Sequence, residues 1–119
     1  MKQSAEIGRW GEDYAARALE KLGYTIVARN WRCRFGEIDI IAEDPGNLAF
    51  VEVKLRKNDR YGAPREFVTR TKQKKIILTA ELWLMQHPTG KQPRFDVIEL
   101  YGSRGVVRRM LHLTDAFTL

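Results

Sequence analysis

The 119 residues include a single cysteine, Cys33, and only two histidines, His87 and His112. One cysteine excludes a disulfide framework within the chain. With two histidines besides, a Cys/His zinc site cannot be assembled. A lone cysteine is most often a small packed residue, and Cys33 is read that way rather than as a nucleophile. His87 and His112 are read as surface or turn residues. No apolar run approaches the roughly 18 residues of a membrane helix, so no membrane span is expected. Met1 to Gly23 carries charges throughout and lacks the apolar core of a secretory signal, which makes the cytoplasm the expected location. Repeats, low-complexity tracts and linkers are also missing. One domain over residues 1–119 is therefore expected, and a chain of this length buries roughly two-thirds of its unfolded surface. A hydrophobic content of 44% argues against disorder.

Charge is present in excess and unevenly placed. The formal net charge is +6. Between Lys54 and Lys75 there are nine basic residues against two acidic ones, Asp59 and Glu66, whereas the rest of the chain is nearly balanced. One local basic patch is the electrostatic footprint of a polyanion such as nucleic acid. The bland reading is a solvated basic loop followed by a helix start.

The periodicities order the elements. Ser4 to Leu22 reads as an amphipathic helix, with Ile7, Trp10, Gly11, Tyr14, Ala15, Ala18 and Leu22 on one face, Ser4 as N-cap and Gly23 as stop. Gly8 and Gly11 each cost the helix about 1 kcal/mol relative to alanine, which suggests close approach of another backbone. Glu12 lies beside the apolar stripe and can look toward a sheet edge. Tyr24 to Trp31, Glu37 to Ala42 and Leu48 to Leu55 have strand composition, with the turn Asp44-Pro45-Gly46-Asn47 before the third. Short connections imply an antiparallel meander. A second helix begins near Thr69 or Thr71 and runs to about Gln86, with Ile76, Ile77, Ala80, Trp83 and Leu84 on its buried face. Leu78, Leu82 and Met85 widen that face enough to suggest a cover, such as a second subunit. Arg94 to Tyr101 and Val106 to Leu113 complete the strands, and Thr114 to Leu119 is a tail with room for one helical turn. The expected fold class is α/β, a central mixed five-stranded sheet with flanking helices in the order αβββαββ.

Arg34 to Arg56 breaks its own pattern twice. Asp39 sits among isoleucines, and Glu52 and Lys54 sit among valines. Period two puts Glu37, Asp39 and Ile41 on one face of the second strand, with Ile38 and Ile40 on the other. On the third strand Phe50, Glu52 and Lys54 share a face opposite Ala49, Val51, Val53 and Leu55. Asp39 and Glu52, on neighbouring strands, can converge within a few ångströms. Two close carboxylates repel unless a cation lies between them, and oxygen ligands suit Mg²⁺ or Mn²⁺. Lys54, on the same face, can orient an attacking water or stabilise charge on a phosphate. Glu12 can add a third acidic group. The set is sufficient in kind for metal-assisted hydrolysis of a phosphodiester. Its bland counterpart is a strand face of salt bridges, and Glu-x-Lys alone is a weak signal. Lys72, Lys74 and Lys75 crowd the positive end of the second helix, a local conflict that an anion there would relieve.

Gly36-Glu37-Ile38-Asp39-Ile40-Ile41 followed by Phe50-Val51-Glu52-Val53-Lys54 resembles the PD-(D/E)xK nuclease core. Gly8-Arg9-Trp10-Gly11-Glu12 with its Ala-rich helix, Gly23-Tyr24, Arg29-Asn30, and Gly62-Ala63-Pro64-Arg65-Glu66 followed by Lys72 resemble the YraN family, bacterial proteins related in fold to archaeal Holliday-junction resolvases. The resemblance covers nearly the whole chain, and Ile38 stands where the motif usually has proline. It implies a restriction-endonuclease-like fold, with Asp39, Glu52 and Lys54 as the catalytic set and Glu12 matching the resolvases' helix-borne glutamate. The resulting expectation is a Mg²⁺- or Mn²⁺-dependent endonuclease acting on DNA in preference to RNA, including branched DNA. Asp39, Glu52 and Glu12 would hold the metal, and Lys54 would position or activate water. Arg34, Arg56, Lys57, Arg60, Arg70 and Lys72 would contact phosphates. A homodimer is expected by analogy, because junction resolvases need two cutting sites. The alternative is a non-catalytic nucleic-acid-binding module on a nuclease scaffold.

Overall fold

A computed structural model describes residues 2–56, 68–103 and 105–118, with side chains described from residue 9 onward in the first helix. The elements are α1 (Lys2–Lys21), β1 (Thr25–Cys33), β2 (Gly36–Glu43), β3 (Asn47–Arg56), α2 (Arg70–Gln86), β4 (Gln92–Ser103) and β5 (Val106–Phe117). The five strands form one sheet in sequence order. Its pairs are antiparallel except β3 with β4, which run parallel across the α2 crossover. This is the α/β arrangement αβββαββ that the chain order predicts, and it agrees with the restriction-endonuclease-like fold that the resemblance implies.

The two helices cover opposite faces, as the alternation on β3 requires. Phe50 packs with Ile76, Ala80 and Trp83 of α2. Its neighbours Ala49 and Val51 pack with Ala15, Ala16 and Leu19 of α1. Burying a side chain of this size contributes about 1.5–3 kcal/mol, so the β3 pattern alone commits the strand to a double-sided core. Gly11 lets α1 settle onto β3, because a Cβ there would come within 3.1 Å of the Leu55 side chain. The close neighbour is thus a side chain rather than the backbone expected. The helix begins at Lys2, which places Ser4 inside it, and Leu22 is exposed while Ala16 and Leu19 are buried.

Two elements depart from simple periodicity. The chain after Leu113 does not turn helical: β5 continues to Phe117, whose ring stacks on Phe95 at 5.1 Å. Asp115 makes the bend in this strand with φ 53°, and its N–H donates to the buried Asp96 carboxylate at 3.0 Å. Asp96 also binds Arg94 and His112, each at 2.8 Å, which makes His112 a largely buried partner rather than a surface residue. The second departure is on β2. Ile38 and Ile41 share the α2-side core, whereas Ile40 joins the α1 side. Ile38 and Ile40 therefore do not form one apolar face, and Ile41 does not follow Glu37 and Asp39. The slip coincides with Asn30 on β1, which takes a left-handed φ of 53° between the pairs Arg29↔Ile40 and Trp31↔Ile38. Asparagine tolerates that conformation better than most residues.

Among the described residues no helix is long and apolar enough to cross a membrane. Leu78 and Met85 remain exposed on α2, while Trp31 meets Trp83 edge-on at 5.4 Å within the core.

Candidate metal and phosphate site

The site lies where the β2 alternation breaks. Strands β2 and β3 pair from Glu43↔Leu48 only as far as Ile40↔Val51 and then part. Beyond that point Asp39 turns its carboxylate across the gap, and Oδ2 accepts the Val53 N–H at 2.8 Å. A side chain thus makes a bond where the ladder has stopped. The parted strands and the start of α2 frame a cleft of about 510 Å³, lined by Gly36, Glu37, Asp39, Glu52, Thr69, Thr71, Lys72, Lys75 and Ile76.

One wall is acidic. Glu12, Glu37 and Asp39 each offer a carboxylate oxygen, and the three lie within 4.8 Å of one another. Burial raises the Asp39 pKa to about 7, and the charge of Glu52, with lesser contributions from Glu12 and Glu37, adds to that against the Val53 hydrogen bond. Glu12 is raised as well, first by burial and then by Glu37 and Asp13, while a hydrogen bond from Asn30 and the charge of Arg29 oppose the shift. The left-handed residue of β1 thus also holds the helix-borne glutamate. Carboxylates crowded in this way are short of positive charge.

The other wall is basic and belongs to α2. Thr69 caps the helix by accepting the Lys72 N–H at 3.2 Å, which fixes the first turn beside the acidic wall. Lys72 Nζ lies 2.8 Å from Glu52 Oε1. Burial works against the Lys72 charge, but the Glu52 contact and the nearby Asp39 and Glu37 outweigh it and raise its pKa. Free N–H groups at a helix start, two threonines and two lysines are suited to an oxyanion.

The expected residues are thus partly assembled. Asp39, Glu52 and Lys72 line the cleft, Glu12 adjoins it through its closeness to Glu37 and Asp39, and Arg70 is exposed at the start of α2. Lys54 is half-buried two residues beyond Glu52, but is not among the described residues that line the cleft. Arg34 is exposed at the β1–β2 turn, its guanidinium 4.9 Å from the Phe35 ring centroid. Arg56 does not face outward as an isolated cation, because it pairs with the buried Glu99 at 3.3 Å. Lys57 and Arg60 lie outside the described residues. Glu37 joins the cluster without having been singled out, although its position two residues before Asp39 on a strand was a usable signal. It also accepts from Arg32 at 2.5 Å. Lys75 was marked with Lys72 and Lys74 as crowding the helix start, whereas Thr69 and Thr71 could not be assigned to the cleft from sequence, because their presence there depends on how α2 docks. Cys33 serves the neighbouring turn, its sulfur 3.4 Å from the Phe35 N–H and 3.6 Å from Thr79 Oγ1.

Fold and site together define a restriction-endonuclease-like α/β protein with an acidic cleft at a strand split, closed on one side by a basic helix start. Comparison with known proteins places the chain further. Residues 11–100 match the model of a family described as uncharacterised protein family UPF0102. A UPF0102 protein of Desulfosudis oleivorans is 46% identical over 118 residues, spanning 98% of this chain and 95% of the relative. One from Persephonella marina is 44% identical over 113 residues, 94% and 93% of the two chains. One from Rhodococcus opacus is 42% identical over 118 residues, 98% and 100%. The chain belongs to UPF0102, the YraN family that its motifs resemble.

Proposed function

We propose that this protein is a Mg²⁺- or Mn²⁺-dependent nuclease that hydrolyses phosphodiester bonds in DNA, branched DNA included. The observation that carries the reading is the crowding of Glu12, Glu37 and Asp39 at the point where β2 and β3 part, facing a basic helix start across one cleft.

The donor set fits a hard divalent ion. The candidate ligands are carboxylate oxygens, which the Val53 carbonyl would join from β3, and an open cleft leaves room for waters and a phosphate. Asp39, Glu37 and Glu12 would hold the ion, with Glu52 joining them. When bound, the ion supplies charge neutralisation at the phosphate and an activated water. The chain's own groups do the rest. Asp39 is fixed by the Val53 N–H. Thr69, Thr71, Lys72 and Lys75 bind the phosphate from the α2 side, and Lys54 assists water or leaving-group charge from β3. Arg34 and Arg70 extend the contact along the nucleic acid, and the basic run from Lys54 to Lys75 raises its local concentration.

Linear duplex, single-stranded and four-way-junction DNA, each incubated with Mg²⁺, Mn²⁺ or chelator, test this reading. Cleavage should require metal and disappear in Asp39→Ala. Absence of metal-dependent cleavage on every substrate, RNA included, would count decisively against it. The binding-module alternative draws on one observation, that Lys72 already neutralises Glu52 and Lys54 stands outside the cleft. A pure binder would show salt-dependent affinity that is indifferent to metal and to Asp39→Ala.

A further inference from the structure

Among the described residues, the cation paired with Glu52 is Lys72 and not the lysine of the strand motif. Lys72 reaches from the first turn of α2 to Glu52, while among the described residues no carboxylate pairs with Lys54. The Glu52 side chain is 9% exposed and the Lys72 side chain 48%. A nearly buried carboxylate beside Asp39 requires a counter-charge or hydrogen bonds. Lys72 provides both at 2.8 Å, and it does so on the carboxylate that a cation shared between Asp39 and Glu52 would need. The two cannot hold the same oxygen in the same way. The lysine stem is flexible and half in solvent, and the residues around its base, Thr69, Thr71 and Lys75, line the same cleft. An ammonium released from Glu52 therefore stays in the cleft, next to the helix start.

We infer that Lys72 holds Glu52 while the site lacks a divalent cation, yields Glu52 when one binds, and then engages the substrate phosphate at the start of α2. This gives Lys72 two alternating partners, a carboxylate and a phosphate, and makes metal binding and phosphate binding mutually supportive. The inference rests on the metal-dependent reading of the cleft.

The test is Mn²⁺ affinity, measured by calorimetry on the wild type, Lys72→Met, Lys72→Gln, Lys72→Arg and Glu52→Gln. Methionine keeps the apolar stem of the lysine and removes the competing charge. Lys72→Met and Lys72→Gln should bind Mn²⁺ about tenfold more tightly than the wild type, the equivalent of about 1.4 kcal/mol. Lys72→Arg should stay near the wild type, and in a Glu52→Gln background the Lys72→Met change should have no effect. A purely structural lysine would loosen the site and weaken Mn²⁺ binding. In a second measurement, DNA affinity in Ca²⁺ should fall in Lys72→Met even as its metal affinity rises. Wild-type Mn²⁺ binding that Lys72→Met leaves unchanged or weakens overturns the role of Lys72 alone. If neither the wild type nor the variants bind Mn²⁺, the metal-dependent reading falls and this inference with it.

Discussion

Replacing Asp39 by asparagine should stabilise the metal-free protein while removing its response to metal. The Asp39 carboxyl is shifted from 3.8 to about 7 by burial and by Glu52, Glu12 and Glu37. A carboxyl with a raised folded-state pKa binds more protons folded than unfolded, so its ionisation opposes folding. The penalty is absent below the unfolded pKa, grows as pH rises from about 4, and is complete above about 7. A shift of about three units corresponds to a ceiling of about 4 kcal/mol, and relaxation around the charge reduces the realised value to about 2–4 kcal/mol. Asparagine keeps an oxygen for the Val53 N–H and cannot ionise, so the geometry at the strand split survives. Urea unfolding in chelator should show Asp39→Asn more stable than the wild type. The gap should widen by up to about 3 kcal/mol between about pH 5 and about pH 8, two pH units of the linkage slope. Adding Mn²⁺ at a hundredfold excess over its dissociation constant should raise wild-type stability by about 2.7 kcal/mol and leave the variant unmoved. A gap that stays constant or narrows with pH would refute the crowded-carboxylate reasoning, whatever the protein's activity.

Other outcomes follow from the same geometry. Asp96→Ala should cost about 3–5 kcal/mol, measured by denaturant unfolding, because it leaves Arg94 and His112 unpaired around a buried position. The Asp96 pKa is lowered: burial raises it, but the bonds from His112 and Arg94 prevail. Its stabilisation is therefore present at neutral pH and lost as pH falls through the folded value, which an acid titration of wild type against variant should show. Gly102→Ala should destabilise by about 1–3 kcal/mol, because a Cβ there would meet the Val106 carbonyl oxygen at 2.0 Å across the β4–β5 irregularity. Thr69→Ala should cost about 1 kcal/mol through loss of the α2 cap, and it should also weaken phosphate binding in the cleft, read by titration with inorganic phosphate.

Much of the fold was legible because the signals are local. The clean alternation on β3 determined which residues face which helix, and the Asp44 to Asn47 turn joined two antiparallel strands as expected. The strand composition of Tyr24 to Trp31, Glu37 to Ala42 and Leu48 to Leu55 placed the meander within a residue or two of its observed ends. Asp39 and Glu52 could be singled out because each puts a charge where an apolar residue was due, and Glu12 because it flanks the apolar stripe of the first helix. By contrast, the tail shows no helical turn, since what keeps it on the sheet past the bend at Asp115 is Asp96, nearly twenty residues away, and the stacking of Phe117 on Phe95.

The sequence by itself determined the strand and helix order, the double-sided core and the choice of charged residues, because period and burial act between neighbours in the chain. Only the tertiary structure decided how those charges meet. The β2 alternation breaks opposite the left-handed Asn30, β2 and β3 part after Ile40, and α2 docks with Thr69, Thr71 and Lys72 over the opening. Those events bring Glu37 into the cluster, pair Arg56 with Glu99, and put Lys72 rather than Lys54 against Glu52. None of them is encoded in spacing, because each is set by the packing of elements far apart in the chain.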